Sequence, residues 1–318
     1  MQNKELEIYF DEFKHKYTDN FKNPYTSVTT KLSEFEKKFD KELEASKCAE
    51  KGSRGKGRYV GMTKQQILQQ WSIGLKYSQN RGNKEHSKLE ESIKLCNGYT
   101  RVNGNYINGR IYTVKDILLN PNHGELDINK FLKTNIAIRF PDFASLIVEY
   151  SKNGYRLYPE ICTYSYEHLI SGLIDLLLIN FNSGNFSIVD YKTNKKRLIF
   201  KSGYYKKNYN GTYTNEFIEK AEYFKAPINT LEYSKGNIYN LQLSFYANLT
   251  ERFGLVHQDN LLFHIRPEID EYGDIIDNNN IETEWYTMTN LKKDINKILN
   301  VHLNKILMTR NTQTKLII

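Results

Sequence analysis

The sequence predicts an α/β (α+β) protein with a mixed central sheet flanked by helices and a helical region ahead of it. Three observations carry this prediction. Three successive apolar runs between residues 155 and 193 are short, rich in Ile, Leu, Val and Tyr, and separated by polar turns, as strands are. Charged and apolar residues recur at helical spacing through much of 4–97, again over 238–253, and near the C-terminus. The chain has 318 residues, 39% of them hydrophobic, enough for one large core with an added lobe and too many for global disorder.

In order along the chain, the helical spacing of residues 4–50 is interrupted at Asn23-Pro24. KLSEFEKKFDKELEASK then sets Leu32, Phe35, Phe39 and Leu43 on one stripe. KGSRGKGRYVG, residues 51–61, is a basic, glycine-rich break, either a flexible linker or a loop that contacts phosphates. Thr63 and Gln66 have the spacing of a capping box. A helix follows through ILQQWSIGLKYSQ with Ile67, Leu68, Trp71 and Leu75 inward, and RGN at 81–83 leads into a second helical stretch, KEHSKLEESIKL. Turn signals in NGNYING and NPNHGE predict a short ribbon at 105–112 and an irregular loop after it. ASLIVEY, within 142–151, is too short to separate helix from strand. YRLYPEICTYS, HLISGLIDLLLIN and NFSIVDYKT read as strands. A polar and aromatic segment, 197–237, precedes a helix over NIYNLQLSFYANLTERFGL with Leu241, Phe245 and Leu249 in register. NLLFHIRPEID is a further strand, and WYTMTNLKKDINKILNVHLNKIL a last strand edge and a C-terminal helix. The expected division is a helical region over 1–97 and a core over 98–318, forming one compact unit.

The formal net charge of +8 and the 24 tyrosines suit a polyanionic partner with stacking bases, and equally an ordinary solvated surface. Cys48, Cys96 and Cys162 are far apart, odd in number and without zinc spacing, which fits a reducing, cytoplasmic setting. MQNKELEIYF lacks the basic start and apolar run of a secretory signal, and no apolar stretch is long enough to span a membrane.

The hairpin GLIDLLLINFNSGNFSIVDYK carries acids inside an apolar frame. Pairing Ile179 with Phe186 across its turn puts Asp175 directly opposite Asp190, unless a bulge shifts the register. Opposed Cβ atoms lie roughly 4.5–5.5 Å apart, so the two carboxylates would repel with little solvation from Leu173, Leu177, Ile188 and Val189. Asp190 and Lys192 share a face while Tyr191 points away. Two arrangements relieve the repulsion: a buried salt bridge from Lys192, or a bound hard cation such as Mg²⁺ or Mn²⁺. Glu160, in the preceding strand, can reach the same sheet end. His86 and Glu90 lie one helical turn apart, as do Gln242 and Tyr246.

Together these residues resemble the PD-(D/E)XK nuclease superfamily, and within it the RecB-like exonuclease branch that includes phage-encoded members. The family pattern of a helix-borne His, a Glu, GxxD, DxK and QxxxY reads here as GNKEHSKLE around His86, YPE at Glu160, GLID at 172–175, DYK at 190–192 and QLSFY at 242–246. SVTT at 27–30 and ILQQW at 67–71 resemble upstream segments of phage members more weakly. The chain departs from the family in its long gap between DxK and QxxxY, which makes 197–237 an insertion, and it has no helicase motif.

The resemblance implies a restriction-endonuclease-like core and a Mg²⁺- or Mn²⁺-dependent site, with no iron–sulfur cluster. His86, Asp175, Asp190, Glu160 and the backbone carbonyl of Tyr191 would be the metal ligands. Lys192, Asp175, Asp190 and Glu160 would carry the catalysis, Lys192 by orienting or deprotonating the attacking water and neutralising developing charge. Gln242, Tyr246 and Glu90 would brace the site or hold phosphate. In the insertion, Lys195, Lys196, Arg197, Lys201, Lys206 and Lys207 alternate with Tyr204, Tyr205 and Tyr209, a mixture that suits DNA tracking as well as a solvated loop. The implied function is a DNA exonuclease of phage recombination or replication, located in the host cytoplasm if phage-encoded. A recombination or single-strand-binding protein is the implied protein partner, and no membrane is involved. The alternatives are a structure-specific endonuclease and a catalytically silent, DNA-binding relative.

Overall fold

The computed structural model describes residues 5–11, 14, 16–98, 109–121, 123–208, 212–270 and 274–315. The chain is a mixed α/β protein with a central mixed sheet between helices. It opens with three short strands, β1 (Ile8–Asp11), β2 (Lys16–Asp19) and β3 (Pro24–Ser27), not with helix. β1 and β2 alternate buried and more exposed positions with period two, and a four-residue length is too short for that period to stand out from a helical one. The helical region expected over 1–97 therefore begins only at residue 28.

The single stripe expected through Leu32, Phe35, Phe39 and Leu43 is split. Leu32 and Phe35 are buried on and just after α1 (Val28–Ser33), whereas Phe39 and Leu43 are exposed. The chain leaves helix after Ser33 and re-enters it at α2 (Lys41–Ser53), where the Asp40 carboxylate accepts from the Glu42 and Leu43 amides. The break expected over 51–61 begins only at residue 54, since 51–53 still belong to α2, and it has Gly55, Gly57 and Gly61 at positive φ. The Thr63–Gln66 capping box starts α3 (Lys64–Asn97), which runs unbroken through Arg81–Asn83. Gly82 is kept inside this helix at a close approach, since a Cβ there would lie 3.1 Å from Thr193 Oγ1. Leu75 points to solvent, 60% exposed, while Trp71 one turn earlier packs on Phe39 and Tyr59 and donates to the Tyr59 hydroxyl at 2.8 Å. The ribbon expected at 105–112 lies largely outside the described residues, as does Tyr209; Arg110 bridges to Tyr9.

Three short helices, α4 (Val114–Leu119), α5 (Ile128–Phe131) and α6 (Asn135–Arg139), lead to α7 (Pro141–Lys152), which resolves ASLIVEY as helix. The three central strands follow as expected: β4 (Arg156–Ser165), β5 (Ile170–Asn180) and β6 (Asn185–Lys192). Within 197–237 a separate hairpin forms from β7 (Gly203–Lys207) and β8 (Tyr213–Glu219). Then come α8 (Lys235–Glu251), β9 (Val256–Ile269), β10 (Ile275–Thr287) and α9 (Lys292–Lys315). Sheet order is β1-β2-β3-β5-β6-β9-β10, with β4 also on β5. The β3–β5 and β6–β9 pairs are parallel and the others antiparallel.

Alternation along the strands feeds two cores. Leu177, Ile179 and Ile188 face the layer that holds α1, α8 and α9, and pack there with Leu241, Phe245 and Ile298. Leu176, Leu178, Val189 and Tyr191 face the opposite layer, with Leu89 and Ile93 of α3 and Phe143 of α7. Each fully buried Leu, Ile or Phe contributes roughly 1.5–3 kcal/mol, so this double-sided burial holds the middle of the sheet rigid. Among the described residues no helix is long and apolar enough to cross a membrane.

Candidate functional site

The hairpin register is the one that pairs Ile179 with Phe186, and it continues to Leu176 opposite Val189. There the ladder stops, one step before the acids. On the same edge of β5, β3 takes over only at Ile170 and Ser171. Gly172–Asp175 therefore has no ladder partner on that edge among the described residues, and the sheet opens at this gap. Asp175 fills it by accepting the Tyr191 amide hydrogen on Oδ2 at 2.8 Å. The opposite edge is irregular at the same level. Glu160 of β4 lies across from Asp175 with a left-handed φ of 53°, between the paired Pro159–Leu176 and Ile161–Ile174. A non-glycine residue in that region costs about 1–3 kcal/mol and persists only where its surroundings impose it. Tyr158 and Ile161 both enter the same core, as do Ile174 and Leu177, so both strands change face at Glu160 and Asp175.

Helices from the two layers close on this opening. From α3, His86 approaches with Nδ1 3.6 Å from Asp175 Oδ2, its ring edge-on to Tyr191. One turn further Glu90 is buried, and at the next turn Lys94 bridges it to Glu160, with Nζ 3.5 Å from Glu90 and 3.1 Å from Glu160. From α8, the Gln242 amide donates to Asp190 Oδ1 at 3.5 Å and to the Tyr246 hydroxyl at 3.1 Å. Lys192 pairs with Asp190 Oδ2 and lies 5.0 Å from the centre of the Tyr239 ring. The buried salt bridge considered from the sequence is thus present. The Tyr191 carbonyl belongs to the peptide that joins the two halves of this pair. Asp175, Asp190, Lys192, His86, Gln242 and Tyr246 converge, and Glu160 and Glu90 sit beside them around Lys94.

The charges are strongly perturbed. Asp190 is 2% exposed, and its carboxyl is pushed up to about 6, first by burial and further by Asp175, against the pull of Lys192 and His86. Burial pulls Lys192 down, but Asp190 and then Asp175 outweigh it and raise its pKa. Lys192 is accordingly an ammonium at neutral pH. Tyr246 is raised by burial, with Asp190 adding, and stays a neutral hydroxyl.

Sequence reasoning missed one support, Lys94, and read another, Gly172, only as the first residue of GLID. Lys94 lies at i+8 from His86, and its spacing pointed to it, but it is not part of the motif. The packing role of Gly172 shows only in the structure. A Cβ on it would fall 2.3 Å from Tyr246 Cε1 and 3.1 Å from Val28 Cγ2, so the tyrosine ring lies against the bare backbone of β5. Gly172→Ala is expected to push that ring away from Gln242 and to cost about 1–3 kcal/mol of stability through overpacking. A chemical denaturation curve compared with the wild type measures this. An unshifted curve would mean that the ring relocates at no cost.

Of the residues in the insertion, Lys201 and Lys206 are paired with Glu219 and Glu216 at 2.6 and 2.9 Å on the outer side of the β7–β8 hairpin. Lys196 and Lys207 lie 3.9 and 4.0 Å from the centre of the Tyr213 ring, and the Tyr204 ring carries Lys220. Lys195, Lys196, Arg197 and Tyr205 line one cavity at the mouth of this hairpin. No protein-family model matches the chain, and no curated protein matches it. Among the described residues, no three His, Cys, Asp or Glu side chains are already grouped to hold a metal ion. The donor set nevertheless fits a hard cation. Asp190 Oδ2 is buried against the Lys192 ammonium, Asp175 and His86 lie beside it at the opening, and burial raises the Asp190 carboxyl despite that lysine.

Proposed function

We propose that the chain is a divalent-metal-dependent DNA exonuclease of the PD-(D/E)XK superfamily, RecB-like branch, of the kind used in phage recombination or replication. In this reading the sheet and its two helical layers form a restriction-endonuclease-like core. The observation that carries it is the meeting of Asp175 and Asp190 at the point where the β5–β6 ladder opens, with Lys192 and His86 against them.

Asp175, Asp190 and His86 would hold Mg²⁺ or Mn²⁺, with the Tyr191 carbonyl and Glu160 as further donors. A bound ion supplies Lewis-acid polarisation of a phosphoryl oxygen and a water of lowered pKa. Around it, Lys192 presents a fixed positive charge to the scissile phosphate. An ammonium has no lone pair, so its part is to orient the nucleophile and neutralise developing charge, and it does not act as a base. Gln242 holds Asp190 and the Tyr246 hydroxyl in one chain of hydrogen bonds and so fixes the carboxylate's orientation. Lys94 offsets part of the charge of Glu90 and Glu160 and ties the Glu160 side chain to α3.

The test is hydrolysis of end-labelled linear DNA and of covalently closed circular DNA, each with Mg²⁺ and with Mn²⁺. Release of nucleotides from linear DNA only is the expected result. Cutting of the circle would make the chain an endonuclease. Binding without hydrolysis of either substrate would make it a silent relative.

A further inference from the structure

Strand β6 does not end in solvent after Lys192. It runs through Thr193 and Asn194 straight into three consecutive cations, Lys195, Lys196 and Arg197. The Arg81 guanidinium holds the Thr193 carbonyl and the Tyr239 hydroxyl accepts from the Asn194 amide at 2.7 Å, so this exit is fixed to both helical layers. The three cations form a wall shared by two adjoining cavities, of 570 and 400 Å³. Across the larger one stand the β7–β8 hairpin with Tyr205 and Tyr213 and the β9–β10 edge with Arg266, Glu268, Asp270 and Glu282, so the cations face phosphate from one wall only. Lys196 and Lys207 hold the Tyr213 ring between them, and Phe217 props Tyr205 edge-on at 5.4 Å. Tyr205 is still 39% exposed. Lys195 and Arg197 form no ion pair among the described residues, in contrast to Lys201 and Lys206.

Size decides what such a trough can take. A cavity of 570 Å³ is equivalent to a cube about 8 Å on a side, while the major groove of a duplex alone is about 12 Å wide. A space of that width takes one strand and its bases, while the two strands of a duplex would have to lie over its rim. Three residues span at most about 11 Å, so the cations begin roughly three nucleotides from Lys192 at the rise of a stacked strand. Cations for phosphates with an exposed ring between them are the means by which proteins hold single strands without regard to sequence.

We propose that DNA occupies this trough as a single strand, with phosphates on Lys195 and Arg197 and a base on Tyr205, so that the enzyme requires an unpaired segment next to the bond it cuts. This rests on the nuclease reading above and adds the form of the substrate. The experiment measures fluorescence anisotropy of a labelled oligothymidylate and of a blunt hairpin duplex, using the full chain carrying Lys192→Ala to prevent turnover. The oligothymidylate is expected to bind roughly tenfold more tightly than the duplex. Adding Lys195→Ala with Arg197→Ala is expected to cost at least about tenfold on the single strand, and to lower the slope of log affinity against log salt by about 1.4, the value for two lost phosphate contacts. Adding Tyr205→Ala instead is expected to cost about tenfold on the single strand while leaving the salt slope unchanged. It is an exposed position, so it tests the trough even if the double variant fails to fold.

Equal affinity for the duplex, or trough variants that bind the single strand as the parent does, would overturn the proposal. The nuclease reading has a separate outcome. Wild-type protein that binds in this way yet hydrolyses no DNA would remove the nuclease and keep the trough; normal hydrolysis with trough variants that bind normally would remove the trough alone.

Discussion

Lys192→Ala is expected to lower DNA hydrolysis by about 10²- to 10³-fold, the range seen when a single charge-stabilising donor is removed from an active site, while Mn²⁺ binding survives. The expectation follows from what surrounds the side chain. Lys192 is partly buried against Asp190 and kept protonated by two carboxylates, so it brings a positive charge to the opening at neutral pH. An alanine leaves Asp190 and Asp175 in place as donors and removes one competitor for them, so a divalent ion should bind at least as tightly as before. Single-turnover cleavage measured beside a Mn²⁺ titration separates the two effects. Cleavage at the wild-type rate would remove Lys192 from the mechanism, and loss of Mn²⁺ binding would make its role structural. Lys192→Arg is a useful companion, because it keeps the charge but changes its shape and reach. If charge alone matters, it recovers part of the rate.

The sheet's centre was legible because its signals were redundant. Apolar runs, a polar turn and the register from Ile179 and Phe186 all agreed, and the register is the one observed as far as Leu176 and Val189. The α8 helix was legible for the same reason, with Leu241, Phe245 and Leu249 all buried. What the register could not show is that the ladder stops one pair short of the acids. That break depends on β3, a four-residue strand from the far N-terminus, which takes over the edge of β5 at Ile170. The N-terminal strands were misread as helix because period two and period 3.6 differ little over four residues. Arg81–Asn83 was misread as a break because glycine usually ends a helix; here it is kept for close packing on Thr193. Phe39 and Leu43 were misplaced because a helical stripe presumes an unbroken helix, and the Asp40 cap starts a new one. Lys94 and the left-handed Glu160 are three-dimensional features: each depends on bringing α3 against β4, a contact between segments far apart in the sequence.

Asp190→Asn carries the second large effect, and it separates the two arrangements that the sequence left open. If the acids exist only to neutralise Lys192, an asparagine of the same shape alters the stability of the protein but removes no metal site. If they hold a cation, the same substitution removes one of two carboxylates from its shell, and both Mn²⁺ affinity and cleavage fall together. The second outcome is expected, with affinity lower by about tenfold to a hundredfold, the scale of a perturbed metal site, and cleavage lower by about 10²-fold or more. The geometry favours Asp190 over Asp175 for this test. Asp175 Oδ2 already accepts the Tyr191 amide, a bond an asparagine oxygen could keep, whereas Asp190 Oδ2 is buried against the Lys192 ammonium, where the loss of its charge acts directly. An asparagine can keep the Gln242 contact through its own oxygen, so the change lies in the charge and not in the hydrogen-bond chain. Calorimetric Mn²⁺ titration of the two proteins reads the affinity directly, with no need for turnover. Equal affinities and equal rates would place the cation, if there is one, away from this hairpin.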